Sequence, residues 1–124
     1  MSSTINCLIV DDEPIAREII QGYSVHLPVI KIVASCANAL EAKTVMEKQA
    51  IDVIFLDINM PGMNGWEFLD EFNNLTHHVK TRCKIFMLTS SIDPSDIKKS
   101  QTYSTVKDFI TKPLTKEKLE KLSL

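Results

Sequence analysis

Four stretches of the 124-residue sequence carry groups able to do chemistry, and each follows an apolar run. LIVDDE delivers Asp11 and Asp12, VIFLD delivers Asp57, FMLTSS delivers Thr89, Ser90 and Ser91, and DFITKP delivers Lys112. Carboxylates gathered in one pocket repel and raise one another's pKa unless a cation intervenes, and one lysine does not balance three of them. Hard oxygen ligands supplied from loops are the chemistry of Mg²⁺, which keeps several waters and often shares its site with a phosphate. In phosphoryl transfer the protein mainly positions groups and stabilises charge while a metal bridges oxygens. A carboxylate can itself be the nucleophile, giving an acyl phosphate. Asp57 is the best candidate, because four apolar residues precede it and its loop carries the tight-turn residues Pro61, Gly62 and Gly65. The Thr89 hydroxyl and the Lys112 ammonium can each engage phosphoryl oxygens. Taken singly, every stretch has a plainer explanation. An acidic pair after a strand favours the positive end of a helix macrodipole, Thr-Ser-Ser forms turns, a lysine before proline is solvated, and an Asp after a strand opens a loop. The chemistry therefore depends on whether the fold brings the four stretches together.

The pattern of the chain says that it does. Strand-like runs at Cys7–Val10, Ile30–Ala34, Val53–Leu56 and Ile85–Leu88, with a fifth at Val106 and Phe109–Ile110, alternate with segments of helical period. Pro14 suits a first helical turn, after which Ile15, Ile19, Ile20 and Tyr23 share a face. Asn38 can cap a second helix with Ala42, Val45 and Met46 inside. Trp66, Phe68, Leu69 and Phe72 line a third, Pro94 opens a short fourth through Ile97, and Thr115 caps a fifth carrying Leu119 and Leu122. Alternation of this kind implies right-handed parallel β-α-β units. Lys31 marks the second strand as an edge, whereas the first and third are wholly apolar and central. The expected fold is α/β, a doubly wound five-stranded parallel sheet in the flavodoxin-like order 2-1-3-4-5 with helices on both faces. Its ligand site lies beyond the carboxyl ends of the strands, between strands one and three. All four chemical stretches fall at that edge.

Several function classes are disfavoured. The formal charge is −2 with Lys and Arg spread along the chain, so no basic patch for direct nucleic-acid binding is visible. No apolar run is long enough for a membrane, and no Lys or Arg precedes the short apolar run at the N-terminus, which is no secretory signal. Cys7, Cys36 and Cys83 are odd in number and widely spaced without a C-x-x-C pair. They read as buried thiols in a reducing compartment, which places the chain in the cytoplasm. His77-His78 reads as a solvated helix end rather than a metal pair, because adjacent helical residues point apart. Trp66 with Met60 and Met63 reads equally as a partner patch or as part-buried packing.

Taken together, these residues closely resemble the receiver domain of bacterial two-component response regulators, of the chemotaxis-regulator type. The resemblance runs along the whole chain, from LIVDDEP through FLDINMPGMNG and MLTSS to FITKP. Each motif alone is weak; their order and spacing make the set specific. The resemblance implies that residues 1–124 form a single receiver domain. It implies that Asp57 accepts a phosphoryl group from a phosphohistidine on a sensor histidine kinase or a histidine phosphotransfer protein. Asp12 and Asp57 would coordinate Mg²⁺ directly, with the backbone carbonyl of Asn59 as a third protein ligand and Asp11 acting through water. Lys112 matches the family's lysine, and Pro113 the proline after it, which often follows a cis peptide in this family. Thr89 matches the switch hydroxyl and Phe109 the switch aromatic. By resemblance, the phosphoryl group draws Thr89 inward, Phe109 fills the space vacated, and the surface of helix four, strand five and helix five is remodelled for a downstream effector or a phosphorylation-dependent dimer. Spacing alone shows only that Phe109 lies three residues before Lys112. Asn59 and Ser91 occupy positions that in this family tune how long the phosphoryl group survives.

The chain departs from the usual pattern before strand five, where many relatives have a small-residue and glycine turn. SQTYSTVK stands there instead, which puts the geometry of the turn and of the nearby output face in question. Two other functions remain to be set against the signalling switch, which is no enzyme beyond a weak self-dephosphorylation. A haloacid-dehalogenase-like phosphatase also uses a strand-end Asp with Mg²⁺, Thr or Ser, and Lys, but needs an acid two residues after the nucleophile, where Asn59 stands. A degenerate receiver would bind partners without phosphorylation, and the complete acid set argues against it. On extent, LIVDDEPIARE and FLDINMP look like regulators that carry a LytTR-type DNA-binding domain, whereas SSIDPSDIKKS and the early end look like free-standing receivers. The free-standing form is the expectation.

Overall fold

The computed structural model describes residues 4–25, 27, 29–58, 60, 64–73, 83–90, 93–103, 105–112 and 114–121. Five strands, β1 (Ile5–Val10), β2 (Ile30–Cys36), β3 (Val53–Asp57), β4 (Lys84–Thr89) and β5 (Val106–Thr111), form one sheet. Every pair is parallel and the order is β2-β1-β3-β4-β5. Among the described residues the helices are α1 (Pro14–Ser24), α2 (Ala39–Lys48), α3 (Gly65–Asn73), α4 (Pro94–Ser100) and α5 (Lys116–Glu120). The expected doubly wound sheet is thus the observed one.

The alternation of side chains along the strands produces two cores. Leu8, Val10, Ile54, Leu56, Ile85 and Met87 face α2 and α3. Their chain neighbours Cys7, Ile9, Val53, Phe55, Phe86 and Leu88 face α1 and α5. A strand clothed on both sides has no polar position to offer, which is why VIFL in β3 is a continuous apolar run. Exposure returns only on the outer strands, at Lys31 of β2 and at Lys107 and Asp108 of β5.

The strands run longer than their apolar cores suggest, and the extra residues matter. β3 ends on Asp57, paired with Leu88, and β4 ends on Thr89, paired with Thr111. Both are the last rungs of ladders rather than the first residues of loops. β2 continues through Ser35 to Cys36 because its pairing follows β1 to Val10. β1 starts early, at Ile5, where the Asn6 amide donates to Asp52 Oδ2 at 2.9 Å.

Most helix starts follow their signals. Asn38 Oδ1 accepts from the Glu41 amide at 2.9 Å, while Glu41 Oε2 accepts from the Ala37 amide at 2.9 Å, a reciprocal cap. Asp93 caps α4 ahead of Pro94, and Thr115 Oγ1 caps α5 by accepting from the Lys118 amide. One expectation fails. Ile15 does not share the inner face of α1; it is 71% exposed. The inner arc runs through buried Ile20 and half-buried Ala16, Ile19 and Tyr23, and at about 100° per residue Ile15 falls off its edge. Leu122, expected inside α5, lies outside the described residues.

The turn before β5 is held by an aromatic clasp in place of a glycine. Tyr103 stacks on Trp66 with ring centroids 6.0 Å apart, and its hydroxyl donates to Asp70 Oδ1 at 2.6 Å. Lys99 Nζ lies over the same Trp66 ring, 4.9 Å from its centroid. Side chains of α3 thereby set where the chain enters β5. The carboxylate also pushes the Tyr103 phenol up to about 12, so it stays a donor at any physiological pH. Tyr103→Phe keeps the stacking and removes the donor. It should cost about 1 kcal/mol in chemical denaturation, and the sole tryptophan, Trp66, reports the unfolding directly by fluorescence.

Candidate functional site

The strand order carries the four chemical stretches to one edge. Asp11 and Asp12 follow β1, Asp57 closes β3 beside it, Thr89 closes β4, and Lys112 follows β5. The Lys112 amide donates to the Thr89 carbonyl at 2.7 Å and the Ile58 amide to the Leu88 carbonyl at 3.1 Å, so ladder hydrogen bonding continues up to the site. The Lys112 side chain spans the gap back to β1. Its Nζ lies 2.9 Å from Asp11 Oδ2, 2.9 Å from Glu13 Oε1 and 3.4 Å from Asp57 Oδ1.

Oxygens of Asp11, Asp12, Glu13 and Asp57 all fall within 4.8 Å of one another. Asp11 is fully buried, with Oδ1 accepting from the Glu13 amide at 2.9 Å, and Arg17 Nη1 donates to the Asp11 carbonyl at 2.6 Å. This fixes the backbone between β1 and α1. Asp57 is almost as deeply buried, and Thr89 is buried beside it, while Asp12 is half-buried.

The electrostatics record an excess of negative charge. Burial first, then the Asp11 charge, push the Asp57 carboxyl up to about 7, against the pull of Lys112. Burial works against the Lys112 ammonium, yet hydrogen bonds to Asp11 and Glu13 and the charges of Asp11 and Asp57 hold its pKa above the ordinary value. A hydrogen bond and a charge from the same lysine hold the Glu13 carboxyl low. One ammonium therefore serves three carboxylates, those of Asp11, Glu13 and Asp57, with the Asp12 carboxylate beside them. An all-oxygen donor set with this surplus suits a hard divalent cation such as Mg²⁺.

Asp11, Asp12, Asp57, Thr89 and Lys112 thus stand together as expected. Asn59, Ser91 and Pro113 lie outside the described residues, as do Met63 and the His77-His78 pair. Phe109 is half-buried on the α3 side, its ring 6.4 Å from Trp66. Of the two readings of Trp66, packing is the one observed: it is 8% exposed, and Met60 is buried in the same core. The cysteines are all buried; burial pushes Cys7 up to about 12 and Cys36 up to about 11, which makes these two thiols unreactive. Glu13 escaped the sequence reading. Its signal was present in the run DDE, but a third acid before Pro14 reads as a helix-start residue. It does stand at the N-cap of α1, although its side chain makes no capping hydrogen bond there.

Gly65 secures the loop that follows Asp57. Its amide donates to the Ile58 carbonyl at 2.9 Å, and a Cβ built on it would lie 2.8 Å from the Asp57 carbonyl oxygen and 2.9 Å from Ile58 Cα. The first turn of α3 can pack this tightly on the end of β3 only without a side chain at that position.

A doubly wound sheet with an acid cluster and a lysine at its carboxyl edge defines a class of domain, and comparison with known proteins agrees. The family model for the response regulator receiver domain matches residues 7–123, and the chain belongs to that family, a signalling component of two-component systems. It is 38% identical to the transcriptional regulatory protein BtsR of Salmonella typhi over 117 residues, and 36% identical to BtsR of Escherichia coli K12. Those alignments cover 94% of this chain and 46% of BtsR, so the chain spans about half the length of the curated relatives it matches. A two-component response regulator from Cytophaga hutchinsonii superposes with a TM-score of 0.86 at 27% identity, over 95% of this chain and 92% of that one. The Vibrio cholerae chemotaxis protein CheY4 superposes with a TM-score of 0.83 at 26% identity, over 96% and 95%. No helix among the described residues is long and apolar enough to cross a membrane.

Two substitutions test how the site is held. Gly65→Ala should destabilise by about 2 kcal/mol, because backbone rather than a flexible side chain must move. Gly22→Ala, inside α1 with nothing within 4 Å, should instead stabilise by about 0.5–1 kcal/mol; thermal melts of the two variants should shift in opposite directions. The Asp57 carboxyl gives a pH dependence of defined sign. Its ordinary value is 3.8 and its folded value about 7, so the folded chain holds a proton that the unfolded chain has released. Stability conferred by that proton is lost as pH rises from about 4 to about 7. Asp57→Asn removes the titration, and under chelating conditions should be more stable than the parent by on the order of 2 kcal/mol above pH 7. The advantage should vanish toward pH 4. Equal melting temperatures at both pH values would contradict this assignment.

Proposed function

We propose that the chain is a phosphoacceptor switch whose Asp57 takes a phosphoryl group from a phosphohistidine on a sensor histidine kinase or a histidine phosphotransfer protein. The observation that carries this reading is the Lys112 ammonium set between the buried carboxylates of Asp11 and Asp57 at the carboxyl edge of the sheet. An Asp57 carboxylate oxygen attacks phosphorus, the P–N bond breaks, and its electron pair stays on the imidazole nitrogen. The product is an acyl phosphate on Asp57. Lys112 offers its ammonium to the incoming phosphoryl oxygens, and Thr89, on the neighbouring strand end, offers its hydroxyl. In this reading Asp12 and Asp57 would hold Mg²⁺ directly, Asp11 would act through water, and the Asn59 carbonyl would complete the protein ligands. When bound, the ion neutralises charge between the carboxylates and the phosphoryl oxygens.

The output follows from the same edge. Thr89 moves toward the phosphoryl group and Phe109 into the space released, and the face formed by α4, β5 and α5 changes shape for a protein partner or a second copy of the chain. A phosphatase reading has less support. The Asn59 amide is no general acid, and the acceptor sits on the third strand of a chain whose family is one of signalling domains. The degenerate receiver lacks support for the same reason that the acid set is complete.

A second reading concerns extent alone. Relatives at 36–38% identity are named transcriptional regulatory proteins and are about twice as long as the aligned region. This favours the receiver part of a longer transcriptional regulator over the free-standing form, and a LytTR-type, DNA-binding regulator is compatible with it. In that case another segment contacts DNA, and this one supplies the switch.

Incubation with acetyl phosphate and Mg²⁺ tests the central reading by intact mass. One labile phosphoryl adduct should appear, and should be abolished by Asp57→Asn and by chelation of the metal. An unchanged mass under conditions that label a control receiver would sink the proposal.

A further inference from the structure

We infer that Glu13 is a positioning residue for Lys112: it holds the ammonium on the β1 side of the pocket and so sets how readily Lys112 engages a phosphoryl group on Asp57. The inference rests on the phosphoacceptor reading of Asp57. The two short contacts of Lys112 Nζ, both 2.9 Å, go to Asp11 and Glu13, and the longer one, 3.4 Å, goes to Asp57. An ammonium has three donors, so a phosphoryl oxygen arriving on Asp57 competes with partners already in place.

Burial decides which partner yields. The Asp11 side chain is fully buried and pinned by the Glu13 amide, and a carboxylate in that position cannot lose its counter-ion cheaply. The Glu13 side chain is 64% exposed and rehydrates with little penalty. Glu13 is therefore the partner that lets go. Its place in the chain supports the role. Residues favoured at an N-cap, Ser, Thr, Asp and Asn, turn back onto the helix. Glu13 occupies the N-cap of α1 without doing so, and its longer side chain instead reaches Lys112, just after β5 and 99 residues away in sequence. Pro14 and the bond from Arg17 to the Asp11 carbonyl hold that turn rigid, so the carboxylate is presented from a fixed backbone.

Beryllofluoride, an analogue of the phosphoryl group, provides the test at saturating Mg²⁺, with its affinity read by fluorine NMR. Mg²⁺ affinity is titrated separately, because loss of any nearby carboxylate weakens cation binding. Glu13→Gln and Glu13→Ala should each bind beryllofluoride roughly two- to fivefold tighter than the parent, the range spanned by one exposed ion pair. Glu18→Gln removes the same charge from an exposed position of α1 without a contact to Lys112, and should leave the affinity unchanged. Unchanged affinity in both Glu13 variants, or equal tightening by Glu18→Gln, overturns the inference while leaving the phosphoacceptor reading intact. Failure of the parent to take up beryllofluoride overturns that reading, and this inference with it.

Discussion

The Lys112 ammonium and the carboxylates around it impose the constraint on which the rest of the arrangement depends. Asp11 and Asp57 are buried at the carboxyl ends of two inner strands, β1 and β3, where an unpaired charge would be expensive. Their compensation comes from β5, two strands away from β3, so it is delivered only if the whole right-hand side of the sheet is in register. The β4–β5 ladder contains an irregularity between Ile85 and Phe86, after which Thr89 pairs with Thr111 and Lys112 follows at once. A slip of one residue there would turn Lys112 to the opposite face and strip Asp11 of its counter-ion. The charge requirement at the edge and the hydrogen-bond register of the sheet are therefore one condition.

Burial supplies the rigidity that this condition needs. β3 has no exposed position, and each of its neighbours sends one set of side chains to α2 and α3 and the other to α1 and α5. With both faces filled, the strand cannot rotate to bring its terminal carboxylate into water. The resulting site is held under charge repulsion, with Asp57 displaced upward by burial and by Asp11 while Lys112 is drawn toward several acids at once. Such a site suits a hard divalent cation, whose charge would relieve a repulsion that the fold maintains.

Sequence periodicity revealed the sheet order and the convergence of Asp11, Asp12, Asp57, Thr89 and Lys112, since apolar runs name the inner strands and parallel topology puts their ends together. Three features escaped it for separate physical reasons. Ile15 has the right period for the inner face of α1, but the arc of contact is set by how the helix lies on the sheet, which one helix's pattern does not contain. Glu13 has an obvious local role as an acid at a helix start, and its actual partner is remote in sequence. The turn before β5 looked defective without glycine, because the clasp that replaces it joins Tyr103 to residues 33 and 37 positions earlier, Asp70 and Trp66. Local chemistry is legible where neighbours in sequence carry it, and illegible where the partner comes from another element.

That clasp also ties the site to the turn before β5. Two connections run from Asp57 toward the Tyr103 turn. One passes through the ladder, from Asp57 paired with Leu88 to Thr89 paired with Thr111, and so to Phe109 on β5. The other is shorter. Gly65 packs against the Asp57 carbonyl with no room for a Cβ, and the next residue, Trp66, touches both Tyr103 and Phe109. Period two on β5 places Ile110 in the core with α1 and α5, leaving Phe109 on the Trp66 side. Phe109 thus stands where the two connections meet. Contacts from the β3 end and pairings from the β4 end both lead to that ring, and the Tyr103 ring that holds the turn is stacked on Trp66. A glycine turn would leave that loop tied to β5 alone; with Tyr103 in its place, the entrance to β5 is fixed to the helix that begins beside Asp57.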